Sequence, residues 1–352
     1  MNRVQQKKVA LVAGASGIVG SQLVKTLKQN NWVVIGLSRY TSSHPDSIPM
    51  VSVDLLDAQN STQALRSLGN VTHIFYSAWL NAANWTEMVE PNVTMLRNLV
   101  TNIEQVAPLQ TVSLMQGYKV YGAHLGPFKT PARESDPGVP GAEFNAAQLS
   151  WLSDFQRGKS WHWNAIRPGV VGSAVSGNAM NLALSIALYA SLCKAQGLPL
   201  RFPGSEQTWH SIVDHTDAGL LAEATLWASA TPAANNQAFN VNNGDIWRWS
   251  ELWPRLAGWF DLDCAPPVRL SFHQLFQDYR AAWQEIAVRK QLRESDILKL
   301  NDGQFADFVF SWNYDMFGDG SKLRQKGFTR MQATDEMFFS LFEQLRTARV
   351  IP

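Results

Sequence analysis

Cysteine is almost missing from this chain. Cys193 and Cys264 are the only two among 352 residues, which excludes a disulfide framework and a thiolate metal site and suits a reducing, cytoplasmic setting. A surplus of charge is missing too: 30 basic against 29 acidic side chains leave a net charge of +1. The chain therefore offers no electrostatic footprint for nucleic acid or an anionic membrane, and small neutral ligands suit it better. The histidines lack metal-ligand spacing, since His210 and His215 fit neither a helical face nor a zinc motif. No charged residue occurs from Pro168 to Cys193, yet Asn178, Asn181 and several Ser and Gly interrupt the stretch. It reads as a buried pocket or interface helix, not a membrane span. Met1–Gln6 run straight into an apolar segment, so no signal peptide is expected there. Internal repeats and low-complexity tracts are absent.

What is present begins at Lys7–Gln22, KKVALVAGASGIVGSQ, where a short apolar run breaks at Gly14, Gly17 and Gly20 and resumes with helical spacing. Gly14 permits a tight turn, Gly17 lets backbone N–H groups approach a pyrophosphate, and Gly20 lets the helix pack on the sheet. A helix N-terminus there favours an anion. With a second strand, WVVIGLSR, following on schedule, the pattern predicts a dinucleotide pocket; a merely structural glycine turn is the alternative. That strand ends in Ser38 and Arg39 where an NAD site usually carries a carboxylate. A guanidinium can bind a 2′-phosphate bidentately, so Arg39 points to NADPH, unless it is simply a solvated arginine. Asp54 and Leu55, after the third strand, are expected beside the adenine.

Strands are predicted at 8–13, 32–37, 50–53, 71–76, 109–114 and 161–166, alternating with helices at 17–29, 58–67, 86–105 and 145–157, Pro137 and Pro140 interrupting before the last helix. This is the order of a Rossmann-type, doubly wound parallel α/β sheet. The segment 210–230 reads as strand and helix and QAFNVNN as a further strand. Two interleaved parts follow: a dinucleotide-binding domain over 1–168 and a smaller, mostly helical substrate lobe over 169–352, with 208–245 returning to the sheet. Fourteen tryptophans read chiefly as aromatic packing of that lobe.

Short-chain reductases pair Tyr and Lys one helical turn apart, so that the ammonium lowers the phenol pKa. None of the seven tyrosines here has Lys four positions later. The segments IFYSAWLNAANWTE (74–87), GYKVYGAHLGPFKTPARE (117–134), RPGVVG (167–172), MNLALSIALYASLCKAQGLPLRFPG (180–204) and QAFNVNNGDIWRWSELW (237–253), with the glycine loop and Arg39, instead resemble the progesterone 5β-reductase and iridoid synthase-like family of divergent extended short-chain dehydrogenases, almost end to end. The resemblance implies an NADPH-dependent reductase that delivers hydride to the β-carbon of a small apolar enone. It implies a cofactor site of Gly14, Ser16, Gly17, Ile18, Val19 and Gly20, then Ser38, Arg39, Asp54 and Leu55, then Ser77, Ala78 and Trp79, closed by Lys119, Pro168 and Val170. Trp79 and Phe128 match pocket walls, and Asn181 lies on a lid-like helix; packing is the alternative for each. A homodimer is compatible with it.

In that family a lysine and a tyrosine stabilise the enolate. Lys119 matches the lysine, but Asn145 stands at the tyrosine position and Ala146 beside it. An amide can donate a hydrogen bond but is no general acid. Ketone reduction, which concentrates charge on one oxygen, suffers more from that loss than conjugate addition. Tyr121, two residues past Lys119 on an expected extended segment, is the candidate hydroxyl, with Tyr118 facing away; His124 reads as a loop residue. Three readings stay open: enone reduction with Lys119 and Asn145 or Tyr121; aldehyde or ketone reduction, or a non-redox aldol-type lyase; and nucleotide sensing without turnover.

Overall fold

The computed structural model describes residues 7–39, 44–139 and 143–352; Met1–Gln6 and Pro140 lie outside them. Seven parallel strands form one sheet. In chain order they begin β1 (Val9–Ala13), β2 (Val33–Ser38), β3 (Met50–Ser52), β4 (His73–Tyr76), β5 (Thr111–Met115) and β6 (His162–Pro168), and the seventh is Gln237–Val241. Their spatial order runs from the seventh strand through β6, β5, β4, β1 and β2 to β3. Strands covered on both faces need apolar side chains throughout, and the VALVA of β1 is wholly buried.

The pleat divides that burial between two layers. Val9, Leu11 and Ala13 meet α3 (Trp85–Val106) and α4 (Phe144–Gln156) through Leu96, Leu99, Ile103 and Leu152. Ala10 and Val12 meet α1 (Ile18–Gln29) and the helix Ala218–Ala230 through Leu23, Leu27 and Ala222. Strand order reverses between β1 and β4, so a crevice opens at their C-terminal ends, where open α/β sheets take ligands.

The helical lobe is built around α5 (Leu182–Gln196), whose first twelve residues are all buried. A helix enclosed on every side has no use for charge, which accounts for the uncharged stretch. Phe202, Trp249, Trp253, Trp283 and Phe310 pack in the same core, so most of the tryptophan surplus in this lobe is structural. Among the described residues no helix is long and apolar enough to cross a membrane.

Candidate functional site

The turn after β1 is a cradle of backbone. Gly14 has φ +79°, and a Cβ there would lie 2.9 Å from the Ser77 carbonyl oxygen. The Ser77 hydroxyl donates to the Ala13 carbonyl at 2.9 Å and ties the end of β4 to that of β1. No side chain caps Gly17 at the start of α1, which leaves the first N–H groups of the helix for an anion. The groove above is lined by Gly14, Ser16, Gly17, Ile18, Val19 and Gly20, by Ser38, Arg39 and Leu55, and by Ser77, Ala78 and Trp79. Of the expected cofactor residues at the adenine end, Asp54 is the one outside this lining: its carboxylate accepts from the Leu56 N–H at 3.0 Å and closes the local turn. These features fit a dinucleotide.

The groove continues into a second cavity of about 250 Å³, the two sharing Ile18, Val19, Ser77, Ala78, Trp79 and Met180. Its floor comes from Met115 at the end of β5 and the residues that follow to Lys119, and from Pro168 at the end of β6 and Val170 just beyond it. Phe305, Phe308, Trp312 and Met316 of the helical lobe form an apolar wall. Lys119 is the sole Lys, Arg, Asp or Glu among the described lining residues. Its Nζ lies 4.5 Å from the ring centre of Trp85 and 5.9 Å from that of Trp79, a placement in which the aromatic faces attract the cation. The loop holding Trp79 is itself fixed, because buried Asn92 of α3 accepts from the Leu80 N–H and donates to its carbonyl, at 2.8 and 2.9 Å. Burial pulls the Lys119 pKa below the ordinary lysine value, and Glu143 partly opposes this.

Asn145 also lines the cavity. Its side-chain amide donates to Glu143 at 2.7 Å, while Glu143 accepts from the Asn145 and Ala146 N–H groups and caps α4. The Asn145 carbonyl takes a hydrogen bond from Gln116 at 2.5 Å, and Gln116 accepts one from the buried Arg167 at 3.0 Å.

Four expectations about individual side chains are corrected. Residues 118–121 form a 3₁₀ turn between Gly117 and Gly122, not an extended segment, so positions two apart no longer share a side. Tyr118 lines the cavity, whereas Tyr121 is buried away from it, donating to Asn240 at 2.6 Å and accepting from Arg167 at 3.0 Å. Phe128 packs on the core of the helical lobe instead of lining the cavity. Asn181, fully buried, is the N-cap of α5: it accepts from the Leu184 N–H and donates to the Ser173 and Val175 carbonyls. Its neighbour Met180 is the one that reaches the site.

No motif in the sequence singles out Asp214. Fully buried behind the floor, it accepts from the Tyr118 hydroxyl at 2.7 Å, the Gly318 N–H at 2.9 Å and the Asn242 amide at 3.2 Å. Burial nevertheless dominates and raises its pKa to about 7. An unfolded aspartate titrates near pH ~4, so the proton is held more tightly in the fold. That contribution to stability is complete below ~pH 4 and is lost as pH rises through about 7. The melting temperature of the natural protein, minus that of Asp214→Asn, should therefore fall over this window; a difference constant with pH contradicts it.

A family model for PRISE-like Rossmann-fold domains matches residues 43–352. A 3-oxo-Delta(4,5)-steroid 5-beta-reductase of Arabidopsis thaliana is 30% identical over 369 residues, covering 98% of this chain and 94% of that protein. An (S)-8-oxocitronellyl enol synthase of Catharanthus roseus is 29% identical, covering 98% and 93%. Among solved structures, a Thermus thermophilus UDP-glucose 4-epimerase in complex with NAD aligns with a TM-score of 0.67 over 97% of this chain and 99% of that one. At 19% identity this likeness concerns the fold alone.

Proposed function

The chain belongs to the family of PRISE-like Rossmann-fold domains, and from that premise we propose that it is an NADPH-dependent reductase of activated C=C bonds in small, apolar enones. One observation carries the reading: a largely desolvated ammonium, Lys119, the one Lys, Arg, Asp or Glu among the described residues that line a cavity opening into a dinucleotide groove. When bound there, NADPH supplies a hydride. Lys119 stabilises the negative charge that develops on the enone oxygen, an effect strengthened by the low dielectric of the cavity. Its lowered pKa lets the ammonium share its proton with that oxygen more readily. Phe305, Phe308 and Trp312 receive the apolar body of the substrate. Asn145 forms a polar wall of the cavity, held in place by the donation of one amide N–H to Glu143, and Tyr121, engaged with Asn240 and Arg167, serves the scaffold; a water molecule protonates the α-carbon.

In this reading residues 1–168 bind the cofactor and 169–352 shape the substrate site, with 208–245 returning to the sheet, in a cytoplasmic enzyme. The test is NADPH consumption with a cyclic enone beside a simple aldehyde. Turnover of the enone alone supports the proposal, and turnover of the aldehyde alone replaces it with carbonyl reduction. Tight NADPH binding without turnover of either favours the nucleotide-sensing reading that the loss of tyrosine at position 145 suggests.

Cofactor choice is assigned to Arg39 at the groove rim. Charge-assisted hydrogen bonds to a 2′-phosphate contribute about 1.5–3 kcal/mol, so Arg39→Ala should weaken NADPH by about 10- to 100-fold and leave NADH nearly unchanged. Equal losses for the two, measured by fluorescence titration, contradict the assignment.

A further inference from the structure

We propose that His124 is a second oxyanion donor, giving an imidazole N–H to the substrate oxygen that Lys119 faces, and so stands in for the hydroxyl that position 145 lacks. His124 lines the same cavity as Lys119. One indole holds both groups: the Trp85 ring lies 4.4 Å, edge-on, from the His124 ring and 4.5 Å from Lys119 Nζ. That shared anchor keeps the imidazole and the ammonium close enough for the Lys119 charge to act on the ring.

The hydrogen bonding of the ring is unfinished. His124 Nδ1 is buried without a partner among the described residues, and an unpaired polar atom in an apolar wall is unfavourable until something entering the cavity meets it. Burial, with the Lys119 charge adding to it, lowers the His124 pKa to about 4, so at neutral pH the ring carries one N–H and no charge. A neutral imidazole is suited to polarising a carbonyl by donation, and it does not compete with Lys119 for the negative oxygen by adding a second repelling cation beside it. The donor lends a hydrogen bond without giving up its proton, so the electron balance is that of the reduction itself. Hydride reaches the β-carbon, the C=C pair shifts to become the Cα=C bond of the enolate while the C=O pair moves to the oxygen, and a solvent proton later adds to the α-carbon as the C=O bond re-forms.

This assignment rests on the reductase reading, and two readouts separate their failures. The first is kcat/KM for an enone; the second is binding of p-nitrophenolate, a stable stand-in for an enolate, to the protein loaded with NADP⁺. His124→Phe keeps a ring against Trp85 and removes the N–H, and it should lower kcat/KM by about 100-fold, the lower end of the loss from deleting one oxyanion donor. Phenolate affinity should fall by about tenfold, with NADPH affinity unchanged. His124→Gln or His124→Asn, which restore an N–H at the two possible ring positions, should recover most of either loss in one of the two. If the natural protein reduces nothing yet binds phenolate in a His124-dependent way, the reductase reading fails and this one stands. Phenolate affinity unchanged in His124→Phe, or no uptake of phenolate by the natural protein, overturns it. Should His124→Phe lose NADPH binding through misfolding, the Gln and Asn variants decide: full loss of phenolate affinity in both overturns it.

Discussion

Lys119→Ala should lower kcat/KM for an enone by about 1000-fold, the upper end of what deletion of one preorganised oxyanion group costs. The size of the effect follows from isolation: no second Lys or Arg lines the cavity among the described residues, so no cation can take over. Water entering the vacated space would screen the charge only partly, because Phe305, Phe308, Trp312 and Met316 keep the wall apolar. Lys119→Arg keeps the charge but spreads it over a broader planar fork in place of a compact ammonium, and should recover little. Unaltered kinetics in Lys119→Ala, with the variant still folded and binding NADPH, would contradict an electrostatic role.

Gly20→Ala should reduce NADPH affinity by about 10- to 100-fold, the loss of a charge-assisted hydrogen bond of about 1.5–3 kcal/mol to the pyrophosphate when the phosphate loop is displaced. A Cβ at Gly20 would lie 2.0 Å from the Gly14 carbonyl oxygen and 2.9 Å from the Ala15 Cα. Those atoms are backbone of the turn itself, so relief requires moving the loop or the start of α1. Gly258 supplies the control. It lies in the helix Trp249–Trp259, where an added Cβ would meet nothing within 4 Å, and Gly258→Ala should leave binding unchanged and the helix slightly more stable. Equal behaviour of the two variants in a titration with NADPH would show that the close approach of α1 to the turn is not what shapes the groove.

Local pattern made the sheet and its helices readable, because parallel strands such as VALVA, wholly buried, and VVIGLS, buried through its middle, leave little ambiguity. The glycine loop was readable because its spacing is local: Gly17 and Gly20 answer to the backbone of the turn at Gly14, a few residues away, although the space at Gly14 itself is closed by Ser77 of the neighbouring strand end. Residues 118–121 were not. Their β-branched and aromatic composition suggests a strand, but Gly117 and Gly122 bracket a 3₁₀ turn whose side chains are aimed by partners far away in sequence. Tyr118 is oriented by Asp214, 96 positions on, and Tyr121 by Asn240, 119 positions on. Asn181 carried a legible local signal, a capping residue ahead of an apolar helix, which the expectation of a lid obscured. Phe305, Phe308, Trp312 and Met316 have no motif at all; they reach the site because the helical lobe folds back over β5 and β6.

The most direct test of the central claim follows the label from NADPH carrying deuterium at the transferable position, with a cyclic enone as substrate and NMR of the product. The account predicts deuterium at the β-carbon with the carbonyl intact, and loss of that product in Lys119→Ala. Deuterium at the carbonyl carbon, or labelled product formed equally well without Lys119, would contradict it.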